Sequence, residues 1–237
     1  MAQVDSTLNE AVRLAPDLSG PVWILAHEQT AARGRRGRAW SMPEGNFAAT
    51  LVLPLTEGPG QAALRSFVVS LALYEAFVAA TGRADAFALK WPNDVLLRGG
   101  KVAGILLETI STAGQMSHLA IGIGVNLASA PKVGDVEEGA LAPVALATDL
   151  GVRIAPEEFL DLLAASYARY EAQFAAYGFD PIRTAWLAHA ARLGETITAR
   201  TTRETYVGTF RDVDATGQLV LETQGGLVAI PAADVYF

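Results

Sequence analysis

Four arginines sit within six residues in Arg33-Gly34-Arg35-Arg36-Gly37-Arg38, and Ala39-Trp40 closes the run. A guanidinium is a planar fork that donates in parallel pairs to phosphate or carboxylate oxygens. Glycines allow close backbone approach and the positive φ angles of an anion-cradling loop. A solvated basic tail needs neither glycine hinges nor an indole, whereas a loop folded over a phosphate and a flat ring uses both. On residue types alone, three readings stay open: a phosphate-ligand loop, a solvated arginine-rich turn and an RNA-binding patch.

Three other segments could carry chemistry. In Lys90-Trp91-Pro92-Asn93-Asp94 the Pro-Asn-Asp triplet reads as a turn, and the Asp94 carboxylate belongs to the ligand class of magnesium. In Gly99-Gly100-Lys101-Val102-Ala103-Gly104, Lys101 stands at the mouth of an apolar strand. It could set a positive charge against a ligand carboxylate, although an exposed hairpin lysine is the plainer reading. A Walker A loop is unsupported, because Val95 replaces its first glycine and Val102 its Ser/Thr. In Gly122-Ile123-Gly124-Val125-Asn126, strand glycines mark close approach of a ligand or another backbone, and Asn126 could bond a phosphate or ribose. Near the start, Ser6 and Thr7 most simply cap a helix, but they could also bind a small polar head group. Gln29 ends a strand just before the arginine loop. None of His27, His118 and His189 sits in a nucleophile–base context, and the absence of cysteine excludes thiolate ligands, cysteine nucleophiles and disulfides.

The elements that must hold these residues can be read from periodicity. A short helix is predicted over Asp5–Leu14, strands over Val22–Ala26 and Phe47–Leu53, and a helix over Gln61–Ala80 stopped by Gly82. Phe87–Val125 reads as consecutive antiparallel strands. Pro131–Pro143, with Gly134 and Glu137-Glu138, reads as a surface loop. A long helix is predicted over Pro156–Tyr177, and a shorter one capped by Asp180 with Pro181 at its first position. From Leu193-Gly194 onward the texture becomes short strands (196–202, 205–213, 219–223 and 227–230) of the kind that make a small β-barrel. The chain is 51% hydrophobic and 18% charged, enough apolar content for a substantial core. Its net charge of −7 argues against a general nucleic-acid binder. Its start lacks signal-peptide character and its apolar runs are too short to span a membrane, so a cytoplasmic location is expected.

Taken together and in this order, the segments resemble the biotin–protein ligases. That family's pattern is Ser-Thr, a Gln before Gly-Arg-Gly-Arg-x-Gly-Arg-x-Trp, Lys-Trp-Pro-Asn-Asp, Lys-x-x-Gly-Ile-Leu-x-Glu and Gly-x-Gly-x-Asn. Here it is met by Ser6-Thr7, Gln29, Arg33–Trp40, Lys90–Asp94, Lys101–Glu108 and Gly122–Asn126, with Ala32 in place of the first loop glycine. The resemblance implies an α+β fold, a mixed sheet with flanking helices of the class II synthetase-like biotin/lipoate ligase type. It also implies a catalytic domain over 1–190 and an SH3-like β-barrel over 191–237. It implies ATP and Mg2+ as co-substrate and ion, biotin as substrate, no tightly bound prosthetic group, and a biotin carboxyl carrier protein as acceptor. By the resemblance, Lys101 and Arg35 are catalytic. Ser6, Thr7, Gln29, Arg33, Gly34, Arg35 and Lys101 bind biotin. Arg33, Arg35, Arg38, Trp40, Lys90 and Asn126 bind the nucleotide, and Asp94 serves the metal. No repressor role, nucleic acid or membrane is implied, and a homodimer stays open. The glycine-hinged loop is expected to move and to order over the ligand. Competing readings are a lipoate–protein ligase, whose Arg-Arg-x-Ser-Gly-Gly-Gly segment is missing, an RNA-binding module, and a catalytically dead scaffold.

Overall fold

The structure, a computed structural model, describes residues 1–112, 114–132 and 141–237. The chain runs through β1 (Gln3–Val4), α1 (Thr7–Leu14), β2 (Val22–Ala26), β3 (Glu28–Gln29) and β4 (Phe47–Pro54). Helices α2 (Pro59–Ala63) and α3 (Arg65–Thr81) lead into β5 (Phe87–Lys90), β6 (Asp94–Leu97), β7 (Gly100–Thr112) and β8 (Gln115–Val125). Then come α4 (Leu146–Leu150), α5 (Pro156–Tyr177) and α6 (Phe179–Leu187). The last strands are β9 (Thr196–Arg200), β10 (Thr205–Val213), β11 (Leu219–Thr223), β12 (Gly226–Ile230) and β13 (Asp234–Tyr236).

The main sheet has the order β2-β4-β8-β7-β6-β5 and is antiparallel throughout. The parallel part of the expected mixed sheet is confined to the β1–β3 pair and isolated bridges. Strands β4 and β8 are nearly continuous buried runs, because both faces of the sheet are covered. Helices α3 and α5 lie on one face, where Phe47 meets Phe159 at 5.3 Å between ring centroids. On the other face α1 packs Leu8 and Ala11 against Ile24, Val52 and Ala120. Gly82 ends α3 in the left-handed conformation (φ 70°), which its missing Cβ permits at little cost. The stretch Pro59–Thr81 is long and apolar enough to cross a membrane, yet it packs against the sheet and α5 and most of its apolar window is buried, as in a core helix.

The expected α6 cap is corrected. The helix begins at Phe179 with Gly178 as its cap, not at Asp180-Pro181. Phe179 is buried against Phe67, 5.1 Å between centroids, and that contact draws the helix start toward the core. The expected terminal barrel is a five-stranded antiparallel sheet, ordered β12-β11-β10-β9-β13. It shares the main core: Trp91 Nε1 donates to Gly217 O at 3.0 Å, and Gly217 approaches Phe67 and Leu64 so closely that a Cβ would lie 3.0 Å from each. Of the loop expected over 131–143, residues 133–140 with Gly134, Glu137 and Glu138 lie outside the described residues.

Phe67 thus joins α3, α6 and the terminal sheet. Phe67→Ala is expected to destabilise the fold by about 3–5 kcal/mol in urea unfolding. A loss below about 1 kcal/mol would show that the two sheets do not share this core.

Candidate active site

A cavity of about 700 Å³ lies over the β7–β8 surface, between α1, the arginine loop and β13. It is lined by Ser6, Thr7, Gln29, Arg33, Gly34, Arg35, Arg38, Trp40, Lys90, Asp94, Lys101 and Asn126, so one cavity gathers the binding and catalytic residues singled out from the sequence.

At one end sits a short polar chain. Thr50 Oγ1 donates to Thr7 Oγ1 at 2.8 Å, and Gln29 Oε1 accepts from Thr7 N at 2.8 Å and from Thr7 Oγ1 at 3.2 Å. Ser6 caps α1, its Oγ accepting from Leu8 N. The capping and the polar-pocket readings of Ser6-Thr7 are therefore compatible. The cap fixes the helix start, and the helix start fixes the hydroxyls at the cavity wall. Gln29 is brought there because β3 pairs with β1, register Val4↔Gln29.

The floor is made by glycines. Gly104 of β7 and Gly124 of β8 are paired in register. The Trp40 indole lies on them: a Cβ at Gly124 would fall 2.5–2.7 Å from three indole atoms, and one at Gly104 would fall 3.2 Å away. Gly122 similarly admits Leu8, with 2.9 Å to an added Cβ. The Gly-x-Gly-x-Asn strand is thus a site of close approach, and the groups that approach are Leu8 and Trp40. Lys101 Nζ stands 5.6 Å above the Trp40 ring, within cation–π range. Asn126 is buried; its amide donates to Val144 O at 3.1 Å, tying the end of β8 to the segment before α4.

The electrostatic centre is Asp94, at the start of β6. Lys101 Nζ lies 2.6 Å from its carboxylate and Lys90 Nζ 3.7 Å. Burial alone would raise the Asp94 carboxyl; the two ammonium groups, with Arg35, outweigh it and hold it below the usual carboxylate range. Burial pushes the Lys90 ammonium below the usual lysine range, against the pull of Asp94. The expectation that Asp94 serves a metal does not fit this arrangement. Its carboxylate is engaged by two cations, and among the described residues no group of three acidic or histidine side chains could hold an ion. Carboxylate next to ammonium is a poor cation site, because any added positive charge is repelled.

The loop itself is a short excursion closed by an Arg33↔Ala39 bridge and by Trp40 N donating to Ala32 O at 3.0 Å. Arg36 (φ 56°) and Gly37 (φ 73°) are left-handed at its tip. Ala32 is not, so the glycine of the family pattern is not required there by backbone angle. Arg33 grips Glu108 of β7 with two nitrogens, at 2.7 and 3.2 Å, and Asn9 of α1 with the third, at 2.6 Å. In this structure it is a strut that anchors the loop, and Arg35 and Arg38 line the same cavity. Arg35 donates to Asn93 Oδ1 at 3.3 Å. Sequence reasoning missed Asn93 as a loop contact, Thr50, and Asp234 of β13, which faces the loop arginines. Asp234 carries no sequence signal, since its partners are almost two hundred residues away.

Residues 1–126 match the Biotin/lipoate A/B protein ligase family, and residues 193–237 match the Biotin protein ligase C terminal domain. The chain belongs to the biotin/lipoate A/B protein ligase family. Within it, the chain is 56% identical to the biotin–[acetyl-CoA-carboxylase] ligase of Paracoccus denitrificans, over 100% of this chain and 99% of that protein. It is 31% identical to the bifunctional ligase/repressor of Bacillus subtilis over 90% of this chain and 65% of that longer protein. The biotin protein ligase from Aquifex aeolicus in complex with biotin and ATP superposes with a TM-score of 0.83 at 25% identity, covering 99% of this chain and 95% of that one.

Gly124→Ala is expected to drive the indole off the floor and weaken ATP binding at least about tenfold in calorimetry, with the fold intact by circular dichroism. Unchanged affinity would mean that the Trp40 seat is not needed for the nucleotide.

Proposed function

We propose that this protein is an ATP-dependent biotin–protein ligase that adenylates biotin and passes it to a lysine of an acetyl-CoA carboxylase carrier. The single observation that supports this most is the union, in one cavity, of a neutral polar end (Thr7, Gln29) with a cationic centre (Lys101, Lys90, Arg35). A cyclic urea with a carboxylate tail has that same polarity, and it fits with the ureido ring at Ser6, Thr7 and Gln29 and the carboxylate toward Lys101.

The chemistry then runs in two steps. A biotin carboxylate oxygen attacks the α-phosphorus of ATP; the bond to the bridging oxygen breaks and pyrophosphate leaves. The reactants are both anionic, so the protein's main contribution is fixed positive charge where they meet. Lys101 steers the carboxylate, Arg35 and Arg38 take phosphate oxygens, and Trp40 offers a flat face beside the adenine. Lys90 and Asn126 support the nucleotide side. Magnesium, in this reading, arrives on the ATP phosphates as part of the substrate, since Asp94 is committed to Lys101. Asp94 holds the Lys101 ammonium in place. In the second step a carrier lysine amine attacks the acyl carbon, the C–O bond to phosphate breaks, AMP leaves, and the amine loses its proton. The anhydride must meanwhile be kept from water, a task suited to the loop and Trp40.

The decisive assay is ATP–pyrophosphate exchange with biotin or lipoate as the only carboxylate. Exchange is expected with biotin alone; silence with both acids, or exchange only with lipoate, contradicts the proposal. Lys101→Ala is expected to lower exchange by at least about a hundredfold, and wild-type exchange in that variant would remove Lys101 from its role.

A further inference from the structure

Asp234 reaches the arginine loop from the far end of the chain. Its carboxylate lies 2.5 Å from Arg36 Nη1, 3.4 Å from Arg38 Nη2 and 4.0 Å from Arg35 Nη1. The Asp234 side chain is only 16% exposed. It stands on β13, which is held to β9 by the register Asp234↔Arg200, so its position is set by the terminal sheet and not by the loop. Arg36 differs from its neighbours. It does not line the cavity, and it adopts a left-handed φ of 56° that costs free energy for a residue with a side chain. Such a conformation persists where surrounding contacts impose it, and the shortest contact to the Arg36 guanidinium is Asp234.

We infer that Asp234 is a positioning residue for the nucleotide: through Arg36 it fixes the tip of the arginine loop so that Arg35 and Arg38 present their guanidiniums to the ATP phosphates. The terminal sheet, on this inference, contributes to adenylation without contacting biotin. The inference rests on the biotin-adenylating reading of the cavity. An acidic residue near the phosphates would by simple charge repel them, so a positioning role and a mere counter-charge predict opposite signs.

The test is ATP–pyrophosphate exchange with wild type, Asp234→Asn, Arg36→Ala, the double variant and Asp234→Glu, with thermal melting of each. Asp234→Asn and Arg36→Ala are each expected to raise KM for ATP about fivefold, with KM for biotin and kcat within about twofold. The double variant is expected to be no worse than the larger single effect, because both single changes remove the Asp234–Arg36 pair, and Asp234→Glu should recover most of the loss. An unchanged or lowered KM for ATP, equal rises in both KM values, or effects that multiply in the double variant would overturn the inference. If Asp234→Asn does not fold, Arg36→Ala, at an exposed side chain outside the cavity, carries the test by its KM split alone. A wild type without exchange would defeat the biotin reading, whereas an active wild type with unaffected variants would defeat only the role of Asp234.

Discussion

The site depends on one buried carboxylate. Asp94 draws Lys101 and Lys90 toward the same point at the β6–β7 junction. At an effective dielectric of about 20, opposite charges about 4 Å apart attract by roughly 4 kcal/mol. Taking each ion out of water costs several kcal/mol. The two nearly offset, so the cluster is not a strong source of fold stability. Its value is that it fixes two ammonium groups at one point of the cavity, where they face an incoming anion. The β6–β7 register, with its irregularity between Val95 and Leu96, delivers both partners. Asn93, next in sequence, donates to Ile105 O and accepts from Arg35, carrying the same junction to the loop.

The second constraint is steric. An indole can lie flat on a β-sheet only where side chains are absent, and two cross-strand glycines supply that gap. Arg33 then fixes the start of the loop to β7 and α1, while Trp40 fixes its end to β7 and β8. Between those two anchors the tip reaches the terminal sheet, where Arg36 and Arg38 meet Asp234. A loop built this way can respond to a ligand at its centre without losing its attachment.

Much of this was legible in the sequence because it is local. The α5 helix, the Gly82 stop and the hairpin run through β8 follow from periodicity and turn residues. The chemically active types also cluster by segment, which is why residues from Ser6 to Asn126 could be named before their contacts were known. What stayed hidden depends on contacts distant along the chain. Phe179 shifted the start of α6 through a ring contact with Phe67, which no cap signal encodes. Asp94 was read as a metal ligand because a carboxylate type does not reveal that two lysines stand beside it. The pairing of Arg33 with Glu108 and Asn9 was not legible either, because those residues meet it only after folding.

The central claim is that this cavity holds a reactive biotin–nucleotide anhydride out of water. It is tested most directly by incubating the protein with biotin and ATP without a carrier and examining the desalted complex by native mass spectrometry. The account predicts one biotinyl-AMP retained per chain, with release of one pyrophosphate. Retention of biotin and intact ATP with no anhydride formed, or hydrolysis to free biotin and AMP with nothing retained, would contradict it.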